Sequence, residues 1–150
     1  LARLQLPVEV VQADALAWTP PALLDAVLLD APCSATGTIR RHPDVMRLKR
    51  ARDVADLAAG QDRLLAAATR MLRPGGRLVY AVCSLQPDEG PARMGALPGL
   101  RPDPVRPEEL PGLAAALTPE GWVRTHPGLW TEHGGMDGFF IARFVRTTDG

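Results

Sequence analysis

One carboxylate and two thiols are the residues of this 150-residue chain whose types and spacing suit chemistry: Asp30, Cys33 and Cys83. Asp30 ends the apolar run Ala26-Val-Leu-Leu29 and opens Asp30-Ala-Pro-Cys33-Ser-Ala-Thr-Gly37-Thr-Ile-Arg-Arg41-His-Pro43. Cys83 closes a second apolar run, Arg77-Leu-Val-Tyr-Ala-Val82. A thiolate is a strong nucleophile, and a carboxylate can hold a cation or share a proton. An ordinary thiol, with a pKa of about 8.5, is only a few per cent ionised near neutrality. A site that uses one must stabilise the thiolate or take its proton. A lone cysteine at a strand end is more often inert core. Two at equivalent strand ends, one three residues after a carboxylate, favour a site.

The elements around these residues explain how they could meet. Ala26–Leu29 reads as a buried parallel strand, and Pro32, Ser34, Thr36 and Gly37 make a small, adaptable loop after it. Val54, Leu57, Ala58, Leu64, Leu65, Ala68, Met71 and Leu72 recur at helical spacing, with Asp53 as the expected N-cap and Pro74-Gly75-Gly76 as the stop. Arg77–Val82 follows as a strand. Strand, helix, strand is a βαβ crossover with parallel strands. In open α/β sheets ligands bind beyond the carboxyl ends of strands, where Asp30, Cys33 and Cys83 all fall.

The flanking segments carry less chemistry. Leu1–Leu6 reads as the end of a helix, Val8–Val11 as a strand leading to Asp14, and Trp18–Leu24 as a loop. Six prolines between Pro91 and Pro111 exclude a long helix there and leave a surface loop with short helical turns, or a partly disordered segment. Trp122–Thr125 and Phe139–Val145 read as an antiparallel pair at the sheet edge, with Phe139, Phe140 and Phe144 in the core. His42 and His126 precede prolines and read as turn residues, and Glu132 and His133 lack the company a metal site requires.

Composition narrows the class. The chain fits one domain spanning 1–150, with 91–111 as a proline-rich insert, and its formal net charge is zero. Arg40, Arg41, Arg47, Lys49, Arg50 and Arg52 nevertheless gather around the single Asp44. They suit either contact with phosphates or an ordinary solvated face. Two cysteines make no disulfide framework, no apolar run approaches a membrane span of about 20 residues, and no signal peptide is evident, so a cytoplasmic location is expected.

Asp30 to Asp44, then Tyr80-Ala-Val-Cys83-Ser-Leu85, then Gly134-Gly-Met-Asp137-Gly-Phe-Phe-Ile-Ala-Arg143, resembles the Sun (Fmu) family of RNA cytosine-5 methyltransferases. That family includes the bacterial 16S ribosomal RNA enzyme and eukaryotic nucleolar proteins. The resemblance implies a Rossmann-like, S-adenosylmethionine-dependent methyltransferase fold in the α/β class. The sheet would be mostly parallel with an antiparallel C-terminal edge pair, and truncated at the N-terminus, its first strands missing. It implies Cys83 as the nucleophile on carbon-6 of cytosine, Cys33 as the thiol assisting release, and Asp30 beside both cytosine and methyl donor. It further implies Asp14, Asp30 and Pro32 at the cofactor, and Arg40 and Arg41 toward RNA, with ribosomal RNA favoured over transfer RNA.

The same comparison marks departures. The glycine-rich cofactor loop and the acidic ribose-binding residue of the family have no counterpart in the sequence. Val82 stands where threonine is usual, and Gly90 where asparagine is common. The loss of the first strand would expose the edge of the strand ending at Asp30, so weak cofactor binding, or a dimer through that edge, is expected. Two other readings stay open: a non-catalytic fragment or scaffold retaining the fold, and a methyltransferase acting on DNA or protein.

Overall fold

The computed structural model describes residues 7–48 and 50–148. Five strands and two helices carry the architecture among these residues: β1 (Leu24–Asp30), α1 (Val45–Leu48), α2 (Ala51–Met71), β2 (Leu72–Val82), β3 (Leu100–Pro102), β4 (Val123–Arg124) and β5 (Phe140–Arg146). The sheet order is β1-β2-β5-β3, and β4 also pairs with β5. β1 and β2 are parallel, whereas β5 is antiparallel to β2, β3 and β4. Four strands therefore run one way and β5 the other, and the expected β4–β5 pair closes the sheet. The fold is the α/β, Rossmann-like arrangement expected of the chain.

The βαβ crossover forms because α2 lays its apolar stripe on one sheet face. Leu65 and Ala68 of α2 meet Leu72, Leu78, Tyr80 and Val82 of β2, with Phe140, Ala142 and Phe144 of β5 alongside. Alternate β2 and β5 residues point into this core, as the period-2 pleat requires. The helix starts one turn earlier than its sequence suggests. Arg50 is the N-cap, and Asp53 sits at the third helical position, its Oδ2 accepting the Arg50 N–H at 2.8 Å. The helix also ends before the Pro74-Gly75-Gly76 stop, with β2 pairing from Leu72. A register shift between Leu24/Leu72 and Ala26/Arg77 absorbs the extra residues, and Gly75 takes a left-handed φ of 76°.

The other sheet face is covered by the proline-rich segment. Three-residue 3-10 turns at Pro91–Arg93 and Pro107–Glu109 flank the short strand β3, so the expected helical turns are present and a strand joins them. Val105, Leu110 and Leu113 face Val79, Ile141 and Phe139 around a cavity of about 610 Å³. Phe139 is thus half-buried on this second face, not in the main core with Phe140 and Phe144. Arg143 pins the segment: its guanidinium reaches Glu109 at 2.8 Å and donates to the Asp103 and Pro104 carbonyls. The hydrogen bonds from Arg143 hold the Glu109 carboxyl down at about 2.

Two expectations need correction or fall outside. Val8–Val11 is not a strand: it is exposed and takes part in no ladder, with Val10 73% exposed. β-propensity alone forms no strand without a neighbour to satisfy the ladder, and no described strand lies beside it. The expected helix end at 1–6 lies outside the described residues. β1 has β2 as its one partner among the described residues, and Leu28 is 71% exposed, so this strand is less buried than its composition suggests. No described helix is long and apolar enough to cross a membrane.

Candidate active site

Parallel neighbours deliver their carboxyl ends to one sheet edge, and here that places the two thiols together. Cys33 leaves β1 and Cys83 leaves β2, and their Sγ atoms stand 3.5 Å apart, both half-buried and free of disulfide. The ladder continues one step past Asp30, with Ala31 N–H donating to the Ala81 carbonyl at 3.0 Å. Beyond it the chain turns through Ala35, at φ 59° and ψ 21°, into the 3-10 turn Thr36–Thr38. A non-glycine residue in this left-handed region costs roughly 1–2 kcal/mol. Surrounding bonds hold it: Gly37 N–H donates to the Cys83 carbonyl at 3.0 Å, and Leu85 N–H to Thr36 Oγ1 at 2.9 Å.

A third segment locks onto this pair. Gly138 N–H donates to the Gly37 carbonyl at 2.8 Å, so the glycine-rich turn before β5 packs directly on the Cys33 loop. Asp137 in that turn takes both arginines of the same loop. Arg40 Nε reaches Asp137 Oδ1 at 2.9 Å, and Arg41 Nε reaches Oδ2 at 2.8 Å. The Arg41 guanidinium, followed by Arg40, keeps the Asp137 carboxyl below the usual aspartate range. Arg124 of β4 completes the frame by donating to the Ser84 and Leu85 carbonyls at 3.0 and 2.7 Å.

Beneath the thiols lies a polar network that sequence reading missed. Glu89, Gln61, Ser34 and Ser84 are fully buried. Glu89 accepts from Ser34 N–H and Oγ, Ser84 Oγ and Gln61 Nε2. Gln61 also donates to the Pro32 carbonyl at 2.9 Å, and the Tyr80 hydroxyl lies 2.8 Å from the Glu89 carbonyl. Gln61 does carry a sequence signal: it falls at stripe spacing between Ala58 and Leu65, a polar residue where α2 should be apolar. Glu89, within Pro87-Asp-Glu-Gly90, has no comparable signature. Gly90 beside it leaves room for Phe140, whose ring carbon would lie 3.0 Å from an added Cβ.

The electrostatics separate Cys33 from an ordinary surface cysteine. Burial pushes the Cys33 thiol up to about 12; the Ala35 N–H opposes this, and the neighbouring Cys83 and Glu89 add to it. Cys33 therefore stays protonated at neutral pH. Asp30 is exposed at the end of β1, and its carboxylate has no hydrogen bond or ion pair among the described residues. Asp14 is not drawn into this cluster: its Oδ1 accepts the Leu16 N–H at 2.9 Å and closes its own exposed turn. Arg40 and Arg41 keep side-chain exposures of 36% and 53% although Asp137 holds them. The described residues include no group of three or more His, Cys, Asp or Glu placed to hold a metal.

Comparison with known proteins gives this geometry a lineage. A family model described as 16S rRNA methyltransferase RsmB/F matches residues 1–145. The chain is 41% identical over 151 aligned positions to the ribosomal RNA small subunit methyltransferase B of Erwinia tasmaniensis, covering 97% of this chain and 32% of that protein. It is 40% identical to the protein of the same name from Sodalis glossinidius, covering 99% of this chain and 33% of that one. The crystal structure of NSun6 from Pyrococcus horikoshii with SFG superposes with a TM-score of 0.72 at 25% identity, over 94% of this chain and 35% of that one. The chain thus spans about a third of the length of the curated relatives it matches. The family-model match over residues 1–145 places the chain in the 16S rRNA methyltransferase RsmB/F family.

Proposed function

We propose that this chain supplies the thiol-bearing part of an S-adenosylmethionine-dependent RNA cytosine-5 methyltransferase, with ribosomal RNA as the substrate. The observation that carries the reading is the pair of thiols 3.5 Å apart at the carboxyl edge of parallel strands. Carbon-5 of cytosine is too weak a nucleophile to accept a methyl group unaided. Addition of the Cys83 thiolate to carbon-6 moves electron density onto carbon-5 and activates it. Cys33, kept protonated by burial, suits donation of its proton to the Cys83 sulfur as the carbon–sulfur bond breaks, while water takes the proton that carbon-5 loses and a proton from solvent restores the Cys33 thiol.

Asp30 has an exposed carboxylate with no partner among the described residues, which suits either the N3 and amino edge of cytosine or a cationic group nearby. The same feature fits a sulfonium cofactor. Asp30 and Pro32 at the end of β1 would hold S-adenosylmethionine on this side, and Asp14 would contribute the oxygen its own turn leaves free. When bound, that cofactor supplies the methyl group. Arg40 and Arg41, half-exposed at the end of the loop that follows Cys33, would meet backbone phosphates with the N–H groups that Asp137 leaves open. A paired base would have to leave its stack to reach this edge, so loop or single-stranded RNA is the easier substrate.

The test is methyl transfer to ribosomal RNA by the full-length gene product, with 5-methylcytidine identified by nucleoside mass spectrometry. Cys83→Ala is expected to abolish the product, whereas Cys33→Ala loses turnover. Full activity in Cys83→Ala would refute the assignment.

A further inference from the structure

We propose that Glu89 is the positioning residue that sets the spacing of the two thiols, an inference that rests on those thiols doing the chemistry. The residues immediately after the cysteines are both serines, Ser34 and Ser84, and both are fully buried. Their hydroxyls converge on one oxygen: Ser34 Oγ donates to Glu89 Oε2 at 2.5 Å and Ser84 Oγ to the same atom at 2.6 Å. The other oxygen, Oε1, accepts Ser34 N–H at 2.9 Å and Gln61 Nε2 at 3.2 Å. One carboxylate therefore reaches across from the Cys83 loop to the Cys33 loop and clamps each one residue from its thiol.

The clamp is demanding because of what holds it. A carboxylate offers about four lone-pair directions, and four donors occupy them here. All four donors are neutral groups. A buried charge that relies on such donors loses heavily if any one of them moves away. The spacing between Ser34 and Ser84, and with it that between Cys33 and Cys83, is thereby fixed by the carboxylate. Two contacts, one of them the Gln61 donor already counted, stop Glu89 itself from shifting. Gln61 ties it to the middle of α2, and the Tyr80 hydroxyl sits against its main-chain carbonyl at 2.8 Å. Thr36 Oγ1, 3.3 Å from Ser34 Oγ and 3.2 Å from Ser84 Oγ, closes the gap between the two loops from above.

The test compares Glu89→Gln, which keeps the volume but removes the charged acceptor, with Ser84→Ala, which removes one arm and leaves the other three donors in place. Thermal melting establishes that each variant is folded, and either variant alone decides if the other is not. Dibromobimane, which bridges two nearby thiols, and monobromobimane, which labels one, give a bridging-to-single ratio that reports spacing independently of RNA. The ratio is expected to fall about tenfold or more, and kcat for RNA methylation by the full-length gene product by up to about 100-fold, with KM for RNA unchanged. A purely structural carboxylate would move melting without moving the ratio. A wild-type ratio and wild-type kcat in a folded variant would overturn the proposal. A fall in the ratio in a protein that methylates no RNA would uphold the positioning role and refute the proposed function.

Discussion

Gly37→Ala tests the close approach on which the site depends. A Cβ at Gly37 would lie 1.8 Å from the Gly138 carbonyl oxygen, 2.6 Å from its carbonyl carbon and 3.0 Å from the Cys83 carbonyl oxygen. These are backbone atoms, so no side chain can swing aside. To reach an ordinary contact the two segments must part by about 1 Å or more, which carries the 2.8 Å Gly138–Gly37 hydrogen bond out of range. The 3.0 Å bond from Gly37 N–H to the Cys83 carbonyl is strained by the same shift. Each bond contributes about 1 kcal/mol net, and a buried group left unsatisfied costs about 1–3 kcal/mol, so the expected loss is about 2–4 kcal/mol. Urea denaturation followed by fluorescence should show a midpoint lowered by about 1–2 M with the slope unchanged. Cys33 labelling should also accelerate, because its loop is released. A stability within about 0.5 kcal/mol of wild type would refute the packing described here.

Other outcomes follow from the same structure. Tyr80→Phe leaves the Gln61 side-chain oxygen and the Glu89 carbonyl without the buried hydroxyl and should cost about 1–3 kcal/mol by denaturation. In a Cys83→Ser background, iodoacetamide labelling of Cys33 should titrate well above the ordinary thiol range of about 8.5 to 9, and a midpoint within that range would contradict its burial. Asp137→Asn should loosen the Cys33 loop, seen as faster hydrogen exchange at 36–41, by removing the charge that holds Arg40 and Arg41. The Glu109–Arg143 pair has a defined acid window. Its folded carboxyl lies below its ordinary value of 4.5, so its contribution is present above 4.5 and is lost as pH falls toward about 2. Arg143→Gln should therefore remove acid sensitivity in that range as well as stability at neutral pH, read by denaturation across pH.

The crossover and the meeting of the thiols were legible because both depend on period and order. Two apolar runs and one helical stripe dictate a parallel pair, and a parallel pair brings Cys33 and Cys83 to one edge without further information. The buried network was not legible, since Glu89 has no periodic neighbour and its partners come from Ser34, Ser84 and Gln61, far apart in the chain. The proline-rich segment was half legible. Proline excludes a helix, but nothing local reveals that Arg143, on β5, will dock the segment against the sheet. Val8–Val11 shows the opposite failure, because β-branched residues signal a strand whose partner the signal cannot supply.

The central claim is that Cys83, and not Cys33, attacks the base. The direct measurement is a covalent trap: Cys33→Ala full-length protein is incubated with ribosomal RNA and S-adenosylmethionine, and the cross-linked peptide is sequenced by mass spectrometry. A stable adduct carried on Cys83 is the predicted result. An adduct on Cys33 in the reciprocal Cys83→Ala protein, with none on Cys83 in Cys33→Ala, would contradict it.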